Sequence, residues 1–229
     1  MGVMNKSNFF VFTQARLNSQ RLPRKMLLPF GSPGNSLWNI ACQKLDQINL
    51  PTGRKWVSVY ESRLEDVAEN YDLSVYWRSE ESANCDNDVR VIWEICSRVQ
   101  FDYYVMFNPC LPMLSVKTIE DFINHFLSIE ADSLFGVVPV RDYFWGESGE
   151  LVFPRGAKML NTKEAPPLYK AAHALYAGRV EDIRNGIQLG DFSKGNPALY
   201  VMNNKIELLD VDDKEDFEIA EAVYKRYEQ

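Results

Sequence analysis

Short apolar runs alternate with amphipathic stretches along most of the chain. Residues 8–14 (NFFVFTQ) form an apolar, β-rich run that ends in a polar loop, which predicts a strand. Over residues 35–48 the apolar positions Leu37, Ile40, Ala41, Leu45 and Ile48, with Lys44 among them, follow helical spacing. Residues 56–60 predict a second strand. A helix then starts at Ser62 and runs through Leu64, Val67 and Ala68, with Glu65 placed as the reciprocal partner of a capping box. Residues 73–77 predict a third strand. Residues 86–98 predict a helix with Val89, Ile92, Trp93 and Cys96 on one face. The uninterrupted apolar run over 101–107 (FDYYVMF) marks a strand covered on both sides. A helix over 118–127, a buried strand over 133–140, a strand over 198–202 and a last helix over 213–227 complete the series.

This rhythm predicts a single α/β domain over 1–229, built on a mostly parallel, doubly wound (Rossmann-like) sheet with helices on both faces. Residues 141–175 interrupt it. The stretch YFWGESGELVF predicts a hairpin turning over residues 146–149, and a proline-containing loop follows. It is expected to be an inserted lid or dimerisation arm, with Phe144, Trp145 and Phe153 as packing or interface residues. Open α/β sheets bind ligands at the carboxyl ends of their strands, so the loops after strands hold the candidate chemistry.

Composition narrows the classes. A chain of 229 residues with 46% hydrophobic and 25% charged content fits a soluble domain with a substantial core. A net charge of -7 argues against a nucleic-acid partner. No apolar run approaches the roughly 20 residues of a membrane span, and no signal-peptide pattern opens the chain, so a cytoplasmic protein without membrane insertion is expected. Cys42, Cys85, Cys96 and Cys110 form no CxxC pair. With only His125 and His173 beside them, they are expected to be small buried apolar residues and not zinc ligands. The net charge hides an asymmetry. Residues 1–45 hold six bases (Lys6, Arg16, Arg21, Arg24, Lys25, Lys44) and no acid, while residues 206–229 hold nine acids and three bases.

Three loops carry candidate chemistry. The first, ARLNSQRLPRKML over 15–27, sets four cations after the first strand, where phosphates would bind; a solvated turn, or pairing with the acidic C-terminal segment, is the simpler alternative. Neither GxxxxGK[ST] nor GxGxxG is present, which disfavours a P-loop or dinucleotide fold. The second, LLDVDDKEDF over 208–217, supplies Asp213 as a helix N-cap with Glu215 and Asp216 in the first turn. Asp210 and Asp212 remain; at i and i+2 of an extended segment they point the same way and could share a hard cation such as Mg²⁺. The third, NPCLP over 108–112, is a rigid proline turn in which Asn108 is either an Asx-turn residue or a ligand contact.

The pattern Ala15-Arg16-x-x-Ser19-x-Arg21-Leu22-Pro23-x-Lys25-x-Leu27 resembles the first signature of the sugar-acid cytidylyltransferases, the CMP-sialic acid and CMP-ketodeoxyoctonate synthetases. The segment from Asp210 to Glu221 resembles that family's closing signature. The resemblance implies that Arg16, Arg21 and Lys25 hold the triphosphate of CTP, with Ala15, Leu17 and Ser19 contributing to nucleotide binding. It implies that Asp210 and Asp212 hold catalytic Mg²⁺, that Arg78 recognises the base, and that Asn108 and Lys163 (with Lys158 nearby) contact the sugar acid. It further implies transfer of CMP to an ulosonic acid, release of pyrophosphate, and a homodimer. The sequence departs from the family pattern at four points. Arg24 stands where the family usually has Gly, and Cys110 where the ketodeoxyoctonate branch has a metal-binding Asp. Ala172 and His173 replace an Asn-Gly pair, and Arg78 lacks its usual Pro-x-x-Leu context. His173 is read as a structural histidine. Two other functions are open: transfer to a different acceptor, such as a phosphorylated metabolite, and a catalytically silent binding module.

Overall fold

The computed structural model describes residues 6–152, 161–164, 166–188, 190 and 196–227. Strand β1 (Phe9–Gln14) lies inside a sheet, parallel to β2 (Lys55–Val59) on one side and to β4 (Tyr103–Phe107) on the other. β3 (Ser74–Trp77) continues the parallel series beyond β2. On the other side, β6 (Leu168–Arg179) runs antiparallel between β4 and β5 (Leu134–Val140), and β7 (Ala198–Val201) pairs parallel with β5 at the edge. The order is β3-β2-β1-β4-β6-β5-β7.

Alternation along the central strands sends side chains into two cores. Phe9 and Val11, with Tyr103, Val105 and Phe107, face a core closed by α1 (Leu37–Gln47), α2 (Ser62–Ala68), α5 (Val116–Ser128) and α7 (Lys214–Tyr227). Phe10 and Phe12, with Tyr104 and Met106, face a smaller aromatic core closed by Trp93, Ile95 and α6 (Val180–Arg184). Apolar packing on both faces explains why these strands carry uninterrupted apolar runs. The one polar atom of the Trp38 side chain is satisfied where α1 meets α2: Nε1 donates to Leu64 O at 2.8 Å.

Three expectations are corrected. Ser62 is the first helical residue and not the cap; Glu61 precedes it, and no side chain caps that end. The helix expected over 86–98 is broken. A short α4 (Val89–Ile92), capped by Asp88, gives way at Trp93 to a 3-10 turn over Glu94–Ser97. The Trp93 ring packs edge-on against Phe12, Tyr104 and Tyr176 at centroid distances of 5.3–5.7 Å, and this packing outweighs helix continuity. The interruption over 141–175 is not one insertion, because residues 168–175 belong to the central sheet as part of β6. The hairpin is present: Val152 N–H donates to Phe144 O, and Gly149 takes a φ of 84° in the turn. Trp145 is exposed there against Tyr143. Phe153 and Lys158 lie outside the described residues. No described helix is long and apolar enough to cross a membrane.

Candidate active site

The carboxyl ends of β1, β3 and β4 open onto a cavity of about 620 Å³. Its lining includes Ala15, Arg16, Ser19, Arg21, Lys25 and Arg78, together with Asn108 and Cys110. The basic loop is held in shape by its own backbone. Ser19 and Arg24 N–H both donate to Leu17 O, and Lys25 N–H donates to Leu22 O. Arg24 takes a φ of 60° just before the 3-10 turn Lys25–Leu27, a left-handed conformation that glycine would adopt without the cost a side chain brings.

The loop cations have separate partners. Arg16 donates to Ala83 O at 2.8 Å and pairs with Asp86 at 2.5 Å, so it ties the loop to the segment after α3 (Glu80–Asn84). Arg21 pairs with Asp212 Oδ1 at 2.6 Å. Lys25 is buried; its ammonium donates to Val211 O at 2.5 Å and lies 3.5 Å from Asp212 Oδ1. The opposed charges of the chain's two ends therefore meet in one place. The Leu17 amide donates to Glu61 Oε1 at 2.8 Å. Glu61 lies two residues beyond the end of β2, within reach of the end-of-strand rule.

The acidic segment is fixed from both sides. Asp213 caps α7: its Oδ1 accepts from Asp216 N–H, while Asp216 Oδ2 accepts from Asp212 and Asp213 N–H. Phe217 packs on Phe30, and Glu221 accepts from Gly31 N–H, so α7 is docked beside the basic loop. Val211 N–H donates to Cys110 O at 2.9 Å, which joins the segment to the turn after β4.

Asp210 and Asp212 are not helix caps. Burial, with the Asp212 charge next in importance, pushes the Asp210 carboxyl up to about 6. Its Oδ1 is buried without a hydrogen-bond partner. A carboxylate with an orphaned buried oxygen beside a second carboxylate suits a hard divalent cation. Among the described residues no group of three or more His, Cys, Asp or Glu surrounds it. A two-carboxylate set is the arrangement Mg²⁺ accepts when phosphates and waters complete its shell. Burial pushes the nearby Cys110 thiol up to about 11.

Arg78 is buried. Its Nη2 donates to Ser82 O, its Nε is buried without a partner, and burial lowers its guanidinium to about 10, with the nearby Arg16 charge contributing. Asn108 has its amide engaged on both sides, by Cys110 N–H and by His173 O. Lys163 stands exposed on the 3-10 turn Thr162–Glu164 and does not line the cavity. His173, read from sequence as structural, is exposed with a φ of 52°. Its Nδ1 lies 3.3 Å from the Tyr176 hydroxyl, which burial and then Asp210 push up to about 12.

A family model described as cytidylyltransferase matches residues 10–229. No curated protein sequence matches the chain. Among solved structures, a CMP-2-keto-3-deoxy-manno-octonic acid synthetase complexed with CTP is similar with a TM-score of 0.69 at 15% identity, covering 96% of this chain and 100% of that one. A 4-diphosphocytidyl-2C-methyl-D-erythritol synthase from Anaerococcus prevotii is similar with a TM-score of 0.67 at 11% identity, covering 99% and 100%. A cytidylyltransferase from Leptospira borgpetersenii gives 0.61 at 16% identity, covering 94% and 85%. These similarities concern the fold.

Proposed function

This chain belongs to the cytidylyltransferase family, and on that premise we propose that it transfers CMP from CTP to a hydroxyl of an ulosonic sugar acid, releasing pyrophosphate. The observation that carries the reading is the convergence of Arg21 and Lys25, both of which line the cavity, on the Val211–Asp212 segment. Transfer at a phosphorus centre runs on positioning and charge neutralisation. Arg21 and Lys25 would exchange Asp212 for triphosphate oxygens and offset the charge that develops on the leaving pyrophosphate. Arg16, tied to Ala83 O and Asp86, would hold the loop over the nucleotide and add its charge to the phosphate side. Ser19 and Ala15 line the same wall, and Arg78, with its unpartnered Nε, would face the base.

Mg²⁺ would be held by Asp210 and Asp212. When bound, it supplies charge neutralisation at the phosphates and lowers the pKa of the attacking hydroxyl. The protein's own part is to hold the two carboxylates close, one buried and one at the rim, and to keep water from the buried one.

A second acceptor class has a specific observation behind it. The chain matches a methylerythritol cytidylyltransferase fold over its whole length, and Lys163, the expected carboxylate ligand, does not line the cavity. In that reading the acceptor is a phosphorylated polyol.

The test is pyrophosphate release with each nucleoside triphosphate, against sugar acids and phosphorylated polyols. Release that requires CTP and an ulosonic acid supports the first reading; release only with a phosphorylated polyol supports the second. Absence of release with every acceptor refutes both. Asp210→Ala and Asp212→Ala should abolish turnover without loss of folding, and an unchanged rate would refute the metal assignment.

A further inference from the structure

Strand β6 is irregular where it passes the end of β4. Its register against β5 shifts between Phe135 and Val137, and His173 lies in the shifted stretch with a φ of 52°. A side chain in this left-handed region costs on the order of 1 kcal/mol or more. Two consecutive β6 carbonyls are turned toward the residue that follows β4. Asn108 N–H donates to Ala174 O at 2.9 Å, and Asn108 Nδ2 donates to His173 O at 3.0 Å.

The orientation of the Asn108 amide follows from these contacts. Cys110 N–H can only donate, so the atom 2.9 Å away is Oδ1; His173 O can only accept, so the atom 3.0 Å away is Nδ2. With the plane fixed by two backbone partners, the second N–H of Nδ2 falls to Asp210 Oδ2 at 3.4 Å. Both amide hydrogens are then used inside the protein. What Asn108 can still offer a molecule in the cavity is the second lone pair of Oδ1.

We propose that Asn108 is the positioning residue of Asp210: anchored on the His173 carbonyl, it holds Oδ2 and leaves the buried Oδ1 turned to the cation. The inference rests on the reading of Asp210 and Asp212 as the Mg²⁺ carboxylates. Groups that orient a ligating carboxylate commonly contribute 10–100-fold to metal affinity. The irregularity of β6 thereby has a chemical use. It delivers a carbonyl to a side chain that bridges the sheet and the acidic segment.

The test uses Mn²⁺ as the probe, with the full chain in the presence of CTP, and follows free Mn²⁺ by electron paramagnetic resonance. Two variants separate orientation of Asp210 from support of the turn. Asn108→Ala removes every side-chain contact and keeps the backbone bond to Ala174 O. Asn108→Ser keeps an oxygen able to accept from Cys110 N–H but lacks a donor that reaches Asp210. Both should bind Mn²⁺ about 10–100-fold more weakly than the parent protein. Normal binding by the Ser variant with weak binding by the Ala variant would assign Asn108 to the turn alone and overturn the proposal, as would parental affinity in both. No Mn²⁺ binding by the parent protein would overturn this inference and the metal assignment together. Pyrophosphate release measured on the same samples reports separately on the proposed reaction.

Discussion

Lys44 offers a quantitative check on how the turn after β4 is held. It reaches from α1 and donates to Leu111 O at 2.9 Å and Pro112 O at 2.7 Å. Its stem is partly exposed, but the ammonium is enclosed, and burial lowers it from 10.5 to about 7 against the opposing pull of Glu207. The sign follows from proton counts. Between about pH 7 and 10.5 the unfolded chain binds a proton that the folded chain does not, so stability rises with pH across that window. The limiting slope is about 1.4 kcal/mol per pH unit, so from pH 7.5 to 9.5 the gain is on the order of 2–3 kcal/mol. Deprotonation leaves the amine two N–H donors, enough for both carbonyls. Lys44→Met removes the titration and withdraws a donor from both carbonyls; Leu111 O keeps the Leu114 N–H, so the loss of about 1–3 kcal/mol falls on Pro112 O. In urea unfolding at a series of pH values, the stability gap between parent and variant should widen from pH 7.5 to 9.5 by about 2 kcal/mol. In melting temperature this is about 4–8 °C for a domain of this size. A gap that stays flat, or that widens toward low pH, would refute the argument.

Other consequences are more direct. Lys25→Met removes a buried cation from the proposed triphosphate wall and the donor to Val211 O; CTP affinity by calorimetry should fall about tenfold or more, at about 1.4 kcal/mol per factor of ten. Unchanged affinity would remove Lys25 from the nucleotide site. Phe30→Ala opens a gap under α7, where a fully buried ring meets Phe217 at 5.1 Å and Tyr224 at 5.3 Å. Chemical denaturation should register a loss of about 3–5 kcal/mol, and a loss below about 1 kcal/mol would mean that α7 is not docked as described.

The parts legible in the sequence are those decided by local periodicity. β1 to β4 are legible as short apolar or β-rich runs and α1 by its helical spacing, and the positions of α5 and α7 are also predicted. The cations of 15–27 and the acids of 210–216 were recognisable by type and position, as was the Asp213 cap. What escaped was decided by partners distant in sequence. β6 mixes exposed and buried residues because it crosses from the sheet's rim to its centre, so Leu168–Arg179 carries no clean alternation. Trp93 looked helical but is placed by three aromatic rings from three strands or loops. The roles of Glu61, Asp86 and Asn108 depend on which loops meet at the strand ends, and nothing in their immediate neighbours records that.

The contact between Lys25 and Val211 spans 186 residues. During synthesis, at about 5–20 residues per second, the basic loop emerges roughly 10–40 s before the segment that meets it. β1 to β4 can pair in that interval, yet Arg21 and Lys25 lack their partners until the Asp210–Asp212 segment arrives. A growing chain can thus present a positively charged crevice to any polyanion before the nucleotide site exists. On the proposed reading, competence for a magnesium nucleotide would arrive only when α7 docks on Phe30, so binding of that ligand would time-stamp the end of folding.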